Sequence, residues 1–356
     1  MFKKIVATMD GSAESERIAG WAAELARGLK AELTLLSVVD ADHLPETARV
    51  DEGRPRETSA GAGPTDAPGG YYRDRTMTGG MMGGAWMVIP PPGGADYRGD
   101  RAPGASQAEL VDDVMAEINT YLAAQREKLE EYGITVSQEV TVGEPAEEIP
   151  NAAARLGADM IAMVTNRSSR LSRAVQGSVT DEVAHRTAMP VLIVNVDADD
   201  EPFEDSAGRP GPIVVPVDMS DASENAIPQA AAIAKALDAR LLLVHVAEDA
   251  GNAGVIIRPR EGTDMAGIEP DARDAVEYLE RQVNALVDQG VSAEGYIASG
   301  DPSDAIIELM RDTAGSMAVM ASSGKRGLER WFAGSVTDEV VRRSHRPVLV
   351  LSPGNP

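Results

Sequence analysis

The sequence predicts an α/β protein built as two tandem domains, each a five-stranded parallel sheet. Three observations carry this expectation. The heptapeptide GSVTDEV at 177–183 recurs unchanged at 334–340. The match extends outward at the same offset of 157, with Pro190-Val191-Leu192 falling on Pro347-Val348-Leu349, Gly143-Glu144-Pro145 on Gly300-Asp301-Pro302, and Tyr121-Leu122 on Tyr278-Leu279. Nearer the N-terminus the offset becomes 208, placing Asp10 on Asp218, Ser12 on Ser220, Leu33 on Leu241 and Val38 on Val246. The two offsets differ by 51, so the chain is one unit duplicated, with 51 extra residues in the first copy between 40 and 107. A repeat of this kind governs the whole architecture. Finally, each copy alternates short β-rich runs with helical patterns, which implies right-handed crossovers and a parallel sheet covered on both faces.

The second copy shows the elements most plainly. PIVVPVD (212–218) is a continuous apolar run and reads as a buried strand. ASENAIPQAAAIAKALD (222–238) has helical composition, with Ser220 or Asp221 as N-cap and Pro228 as a local irregularity. ARLLLVHVA (239–247) is a second strand, 270–289 a helix, and VSAEGYIAS (291–299) a third strand. A helix then runs from Asp301 to Asp312 with Pro302 in its first turn, where a missing N–H costs nothing. SMAVMAS (316–322) is the fourth strand, the GSVTDEV segment opens the last helix, and PVLVLS (347–352) is the fifth strand. The first copy repeats this order.

Composition places the boundaries and removes several function classes. VDADDEPFEDSAGRPGP (196–212) is acidic, holds Pro and Gly, and lacks an apolar period. The first domain is therefore expected at 1–197, a linker at 198–211 and the second domain at 212–353. Within the first, about 43–106 is an insertion dominated by Gly and Pro, although its middle, GGMMGGAWMVIPPP (79–92), is apolar. That segment reads either as a solvated loop or as a flap over the first site or a docking element. With no cysteine there is no disulfide or thiolate chemistry. No apolar stretch is long enough to span a membrane, and the N-terminus lacks the length of a signal sequence, so a cytoplasmic location is expected. A net charge of −24 repels nucleic acid and anionic lipid. The acidity reads equally as plain solubility or as adaptation to a salt-rich cytoplasm.

Parallel α/β sheets bind ligands beyond the carboxyl ends of their strands, where the connections diverge. Here the loops after the first and fourth strands meet. ASSGKRGLERWFAGSV (321–336) carries glycines, Ser335, Lys325 and Arg326 into a helix N-terminus, which is anion-binding chemistry on an otherwise acidic chain. The four histidines, at 43, 185, 245 and 345, have no metal-ligand spacing, and His245 reads as structural. No nucleophile–base pattern, Walker lysine motif or dinucleotide fingerprint is present, so no catalytic residue and no metal site are expected.

That loop, followed by GSVTDEV and a PVLV strand, resembles the universal stress protein family, as do VATMDGS (6–12), VVPVDMS (214–220) and LLVHV (242–246). The resemblance covers nearly everything outside the insertion and linker. It implies a Rossmann-like domain of the adenine nucleotide alpha hydrolase type, with strand order 3-2-1-4-5 and fifth strands that pair edge to edge. PVLIVN (190–195) and PVLVLS (347–352) would then pair within one chain as an internal pseudo-dimer. The family's nucleotide-binding members carry Gly-x-x-Gly, nine residues, then Gly-Ser or Gly-Thr. In the second copy Ala321 replaces the first glycine, while Gly324, Gly334 and Ser335 remain, flanked by Ser323 and Val336. Pro216, Val217, Asp218 and Val246 would face the adenosine end. In the first copy Val164 and Arg167 replace both early glycines, beside Asn166, and Gly177, Ser178 and Val179 remain. Thr8, Met9, Asp10 and Val38 keep the adenosine-end positions there, and Arg167, Arg170 and Arg173 form a basic loop able to hold phosphate through side chains.

The resemblance thus implies a stress-response sensor that binds ATP or a related adenine nucleotide, with or without Mg, at most hydrolysing it slowly. The second site is expected to be the stronger. A homodimer and a protein partner of unknown identity complete the expectation. The alternative is a scaffold of the same fold that binds no nucleotide.

Overall fold

Short β-branched and leucine runs become strands because both faces of the sheet are covered, so that alternation of polar and apolar residues is unnecessary. The structure, a computed structural model, describes residues 2–40, 107–165, 179–195, 211–247, 255–258, 270–313, 317–321 and 336–351. Residues 198–210 of the expected linker, the expected insertion at about 43–106 and the phosphate-side loops lie outside the described residues. In the first half β1 (Lys4–Thr8), α1 (Ala13–Leu29), β2 (Glu32–Val39), α2 (Gln107–Glu130), β3 (Val136–Val142), α3 (Pro145–Leu156), β4 (Met160–Thr165), α4 (Val179–Arg186) and β5 (Val191–Asn195) follow one another. The second half runs β6 (Ile213–Pro216), α5 (Asp221–Leu237), β7 (Leu241–Ala247), β8 (Val255–Ile257), α6 (Pro270–Asp288), β9 (Ala293–Ser299), α7 (Pro302–Asp312), β10 (Met317–Ala321), α8 (Val336–Arg343) and β11 (Val348–Leu351).

All eleven described strands form one sheet in the order β3-β2-β1-β4-β5-β11-β10-β6-β7-β9-β8. The first five reproduce the expected 3-2-1-4-5 order, and the second half mirrors it. The halves join where β5 and β11 pair antiparallel, Leu192 opposite Leu349 and Val191 opposite Val350. Two otherwise open edges are thereby closed inside one chain. One element departs from the expected five strands per domain. β8 is an added edge strand, antiparallel to β9, with Val255 opposite Ile297 and Ile257 opposite Gly295. Three residues are too few to show any period, which is why sequence reasoning passed over it.

Strand side chains alternate between two apolar layers. Ile5, Ala7, Leu33 and Leu35 meet α1, α2, α5 and α6 on one face. Val6, Leu36, Ile161 and Met163 meet α3, α4, α7 and α8 on the other. On the first face α1 crosses from its own half to touch α5. Gly28 makes this approach possible: a Cβ there would lie 2.5 Å from the Leu237 Cδ2 atom and 3.1 Å from the Ala236 carbonyl oxygen. On the second face the buried Asn195 amide donates to the Arg342 carbonyl of α8, tying the last strand of one half to the last helix of the other. Pro228 sits inside α5 without ending it. Proline in a helix interior removes one bond and crowds the preceding turn. The continuous helix therefore rests on its buried face, which includes Ile227, Ala230 and Ala231.

Candidate functional site

The loop after β6 shows how local sequence builds the site. Asp218 accepts from the Ser220 amide at 3.0 Å and from the Ser220 hydroxyl, an Asx turn that leads directly into α5. Ser220 is the N-cap, its hydroxyl oxygen accepting from the Ser223 amide at 3.3 Å. Between them Met219 is held at φ 59, a left-handed conformation unusual for a residue with a side chain, and is 42% exposed. Partial burial acts to raise the Asp218 pKa, but hydrogen bonds from Ser220, Ser223 and nearby backbone outweigh it and hold the carboxyl below its ordinary value. Asp218 is therefore an ionised acceptor at neutral pH.

Beyond this turn lies a cavity of about 280 Å³ at the carboxyl ends of β6, β7 and β10. Pro216, Val217, Asp218, Val246, Ala321 and Val336 all line it. These are the described members of the ten residues singled out in the second half. Ser323, Gly324, Gly334 and Ser335 lie outside the described residues, as do Lys325 and Arg326. Sequence reasoning did not assign Ser220, Ser223, Pro302, Ile306, Met320 or Thr337 to the site, yet they also line it. For Ser220 and Pro302 a signal existed: both sit in repeated stretches, Asp-x-Ser and Gly-Asp/Glu-Pro, that open helices. Ile306 and Met320 carried none, because an apolar residue lining a cavity reads like any core residue.

The beginnings of three helices converge on this cavity. Ser220 caps α5, Pro302 is in the first turn of α7 after the Asp301 N-cap, and Val336 opens α8. Each brings the positive end of a helix dipole to the cavity. α8 is anchored to its strand by the Thr337 hydroxyl, which donates to the Ala321 carbonyl at 3.5 Å. The Val217 amide is taken by the Val244 carbonyl at 2.8 Å, and the Val217 carbonyl accepts from His245 Nδ1, also at 2.8 Å. A carbonyl can only accept, so Nδ1 carries the proton, and His245 braces the loop.

The first half holds the corresponding frame. Asp10 accepts from the Ser12 amide at 3.0 Å and from its hydroxyl, and Ser12 caps α1. Here Gly11 takes the left-handed position, at φ 76, without strain. Thr8 is buried where the second half has the half-buried Pro216, and its hydroxyl donates to the Ala162 carbonyl. Met9 is wholly buried and Val38 nearly so, leaving Asp10, Val164 and Val179 partly accessible. The Thr180 hydroxyl donates to the Val164 carbonyl at 3.1 Å, matching Thr337 on Ala321. Asn166, Arg167, Gly177 and Ser178, with Arg170 and Arg173, lie outside the described residues.

A tyrosine–glutamate hydrogen bond stands behind the Asx turn of the first half. The Tyr121 hydroxyl donates to Glu16 at 3.1 Å and Gln125 donates to the same oxygen at 2.7 Å. Burial, then the Glu16 charge, push the Tyr121 phenol well above its usual range. Burial and the neighbouring Glu224 carboxylate push the Tyr278 phenol up to about 12. Among the described residues no group of three or more His, Asp or Glu is placed to hold a metal ion. None of the described helices is long and apolar enough to cross a membrane.

Comparison with known proteins gives a consistent result. A model of the universal stress protein family matches residues 1–67, 89–195 and 211–352. A universal stress protein of Methanocaldococcus jannaschii is 32% identical over 139 residues, covering 39% of this chain and 80% of that protein. The universal stress protein YxiE of Bacillus subtilis is 29% identical over 144 residues, covering 39% of this chain and 97% of its own. A solved universal stress protein from Archaeoglobus fulgidus superposes with a TM-score of 0.59 at 18% identity, covering 99% of this chain and 97% of its own, a likeness of fold.

Proposed function

The chain belongs to the universal stress protein family, and we propose that it is a binding protein for ATP or a related adenine nucleotide, taken up in the cleft of its second half. The observation that carries this reading is the convergence of Pro216, Val217, Asp218, Val246, Ala321 and Val336 on one cavity of about 280 Å³. Small-molecule sites start at roughly 300 Å³, so a volume of this size suits an adenosine group better than a whole triphosphate. The base and ribose sit against Val246, Pro216 and Val244, with the Asp218 carboxylate accepting from hydroxyl or amino donors. The phosphates extend toward the start of α8, where Gly324, Gly334 and Ser335 precede the helix and its dipole favours anions. Ala321 in place of a glycine adds one methyl at the cavity wall and leaves the cleft open.

The protein acts by binding rather than by turnover: the Ser220 and Ser223 hydroxyls that line the cavity are engaged in the Asx turn and the α5 cap. The first half is the weaker site: Val164 and Arg167 stand where the family pattern has glycine. ATP occupancy is read out through the α5 and α8 starts, by a partner or by a second copy of the chain. Calorimetric titration with ATP tests the reading on wild type and Gly324→Val. Saturable heat in the first and its loss in the second support it. No heat and no change in melting temperature at millimolar ATP establish the scaffold role instead.

A further inference from the structure

The two halves end on different edges: β9 is covered by β8, whereas β3 is the last described strand on its side. The difference shows in burial. Ile297 and Ala298 on β9 are 1% and 7% exposed, while their counterparts Val140 and Thr141 on β3 are only half-buried and Val142 is 38% exposed. An uncovered edge presents unpaired N–H and C=O groups and is a template for strand addition.

The occupant is legible in the repeat. Set against β8 and its surroundings at an offset of 168, residues 83–99 (GGAWMVIPPPGGADYRG) match 251–267 (GNAGVIIRPREGTDMAG) at seven of seventeen positions without a gap. Ile89 falls on Ile257, Pro91 on Pro259, Gly94 on Gly262 and Asp96 on Asp264, and Met87-Val88 stands where β8 has Val255-Ile256. The offset is also collinear with the rest of the duplication. It lies between the 208 that relates β2 to β7 and the 157 that relates α2 to α6. The 51 additional residues then divide into 40 before this segment and 11 after it. A β-branched apolar triplet bounded by glycine and proline matches an edge strand in composition.

We propose that the β3 edge is an interaction surface whose occupant is Met87–Ile89 of the same chain, added antiparallel as a sixth strand. Transferring the β8–β9 register by the 157 offset places Met87 opposite Val140, Val88 opposite Glu139 and Ile89 opposite Gln138. The long stretch between Asp40 and Gln107 thereby contains a remnant of the duplicated unit, with the inserted residues on either side of it. Both halves then present six strands, and the chain offers no free edge for pairing with other copies.

The absence of cysteine makes the register testable by cross-linking. Directly opposed strand residues have Cα separations of about 4.5–5.5 Å, inside the range a disulfide spans. Met87→Cys with Val140→Cys is expected to close an intrachain disulfide under mild oxidation, at least tenfold faster than Val88→Cys with Val140→Cys, which faces opposite sides. Equal closure of the two pairs overturns the register. Preferential cross-linking between copies through Val140→Cys assigns the edge to a second chain and overturns the proposal. A readout that needs no engineered pair is amide exchange on the full chain. β3 amides not bonded to β2 are expected to exchange about tenfold faster in Val88→Pro than in wild type, and equal exchange overturns the assignment.

Discussion

Replacing Asp218 by alanine separates the structural from the ligand-binding role of the cleft. Its carboxylate holds the Ser220 amide and hydroxyl, and that turn keeps Met219 at φ 59. Two hydrogen bonds at an exposed position stabilise by roughly 1 kcal/mol together once solvent competition is allowed for. Left-handed backbone costs a residue with a side chain about 1–2 kcal/mol, so without the carboxylate Met219 leaves this conformation and the loop shifts. The expected fall in melting temperature is about 2–4 °C, using the scaling for a body of 150–250 residues. The same change in the first half, Asp10→Ala, removes the same pair of bonds beside an unstrained Gly11 at φ 76, with no strain to release, and is expected to cost at least as much. Because hydrogen bonding lowers the Asp218 pKa, its stabilisation is present above the ordinary carboxylate value and is lost as pH falls through the folded value. The wild-type advantage over Asp218→Ala therefore vanishes in acid. For ATP, losing the acceptor weakens binding at least tenfold, about 1.4 kcal/mol. Scanning calorimetry and ATP titration on the same samples give both numbers. An ATP affinity within twofold of wild type refutes the placement of Asp218 against the ligand.

Three further outcomes follow from the fold. Leu192→Ala at the β5–β11 junction removes a 1% exposed side chain paired with Leu349, and denaturant unfolding should show a loss of about 2–5 kcal/mol. Gly28→Val sets a branched side chain against the Ala236 carbonyl, and should destabilise by about 1–3 kcal/mol in the same assay, exceeding any gain from helix propensity. In ultraviolet titration the Tyr278 phenol should ionise near 12 and the Tyr121 phenol well above its usual value. Each raised phenol stabilises the fold below the ordinary tyrosine value, and that contribution is lost as pH rises through the folded value. Phenylalanine at either position should remove one late-titrating group.

The duplication made most of the fold readable. Strand after strand, from PIVVPVD to PVLVLS, falls within two residues of its expected limits, because buried parallel strands are continuous apolar runs. Pairing of β5 with β11 was implied by the family resemblance, which sets PVLIVN and PVLVLS edge to edge. β8 was not legible, since three apolar residues between Gly254 and Arg258 show no period. At the candidate site, Asp218 and the helix-opening Val336 were singled out through the family resemblance, and both line the cavity. Ile306 and Met320 were not, because a cavity wall is defined by the space beside it, which no residue type encodes. The heptapeptide GSVTDEV runs straight into α4 and α8 in both halves, a folding role that explains its repetition without requiring equal ligands.

Nucleotide binding by this chain is decided by what occupies the second cleft. A crystal structure of the full chain grown with saturating ATP should show adenosine density against Pro216 and Val246, with the Asp218 carboxylate within hydrogen-bonding distance. The phosphates should lie at the start of α8. Only solvent in that cleft at saturating ATP contradicts it.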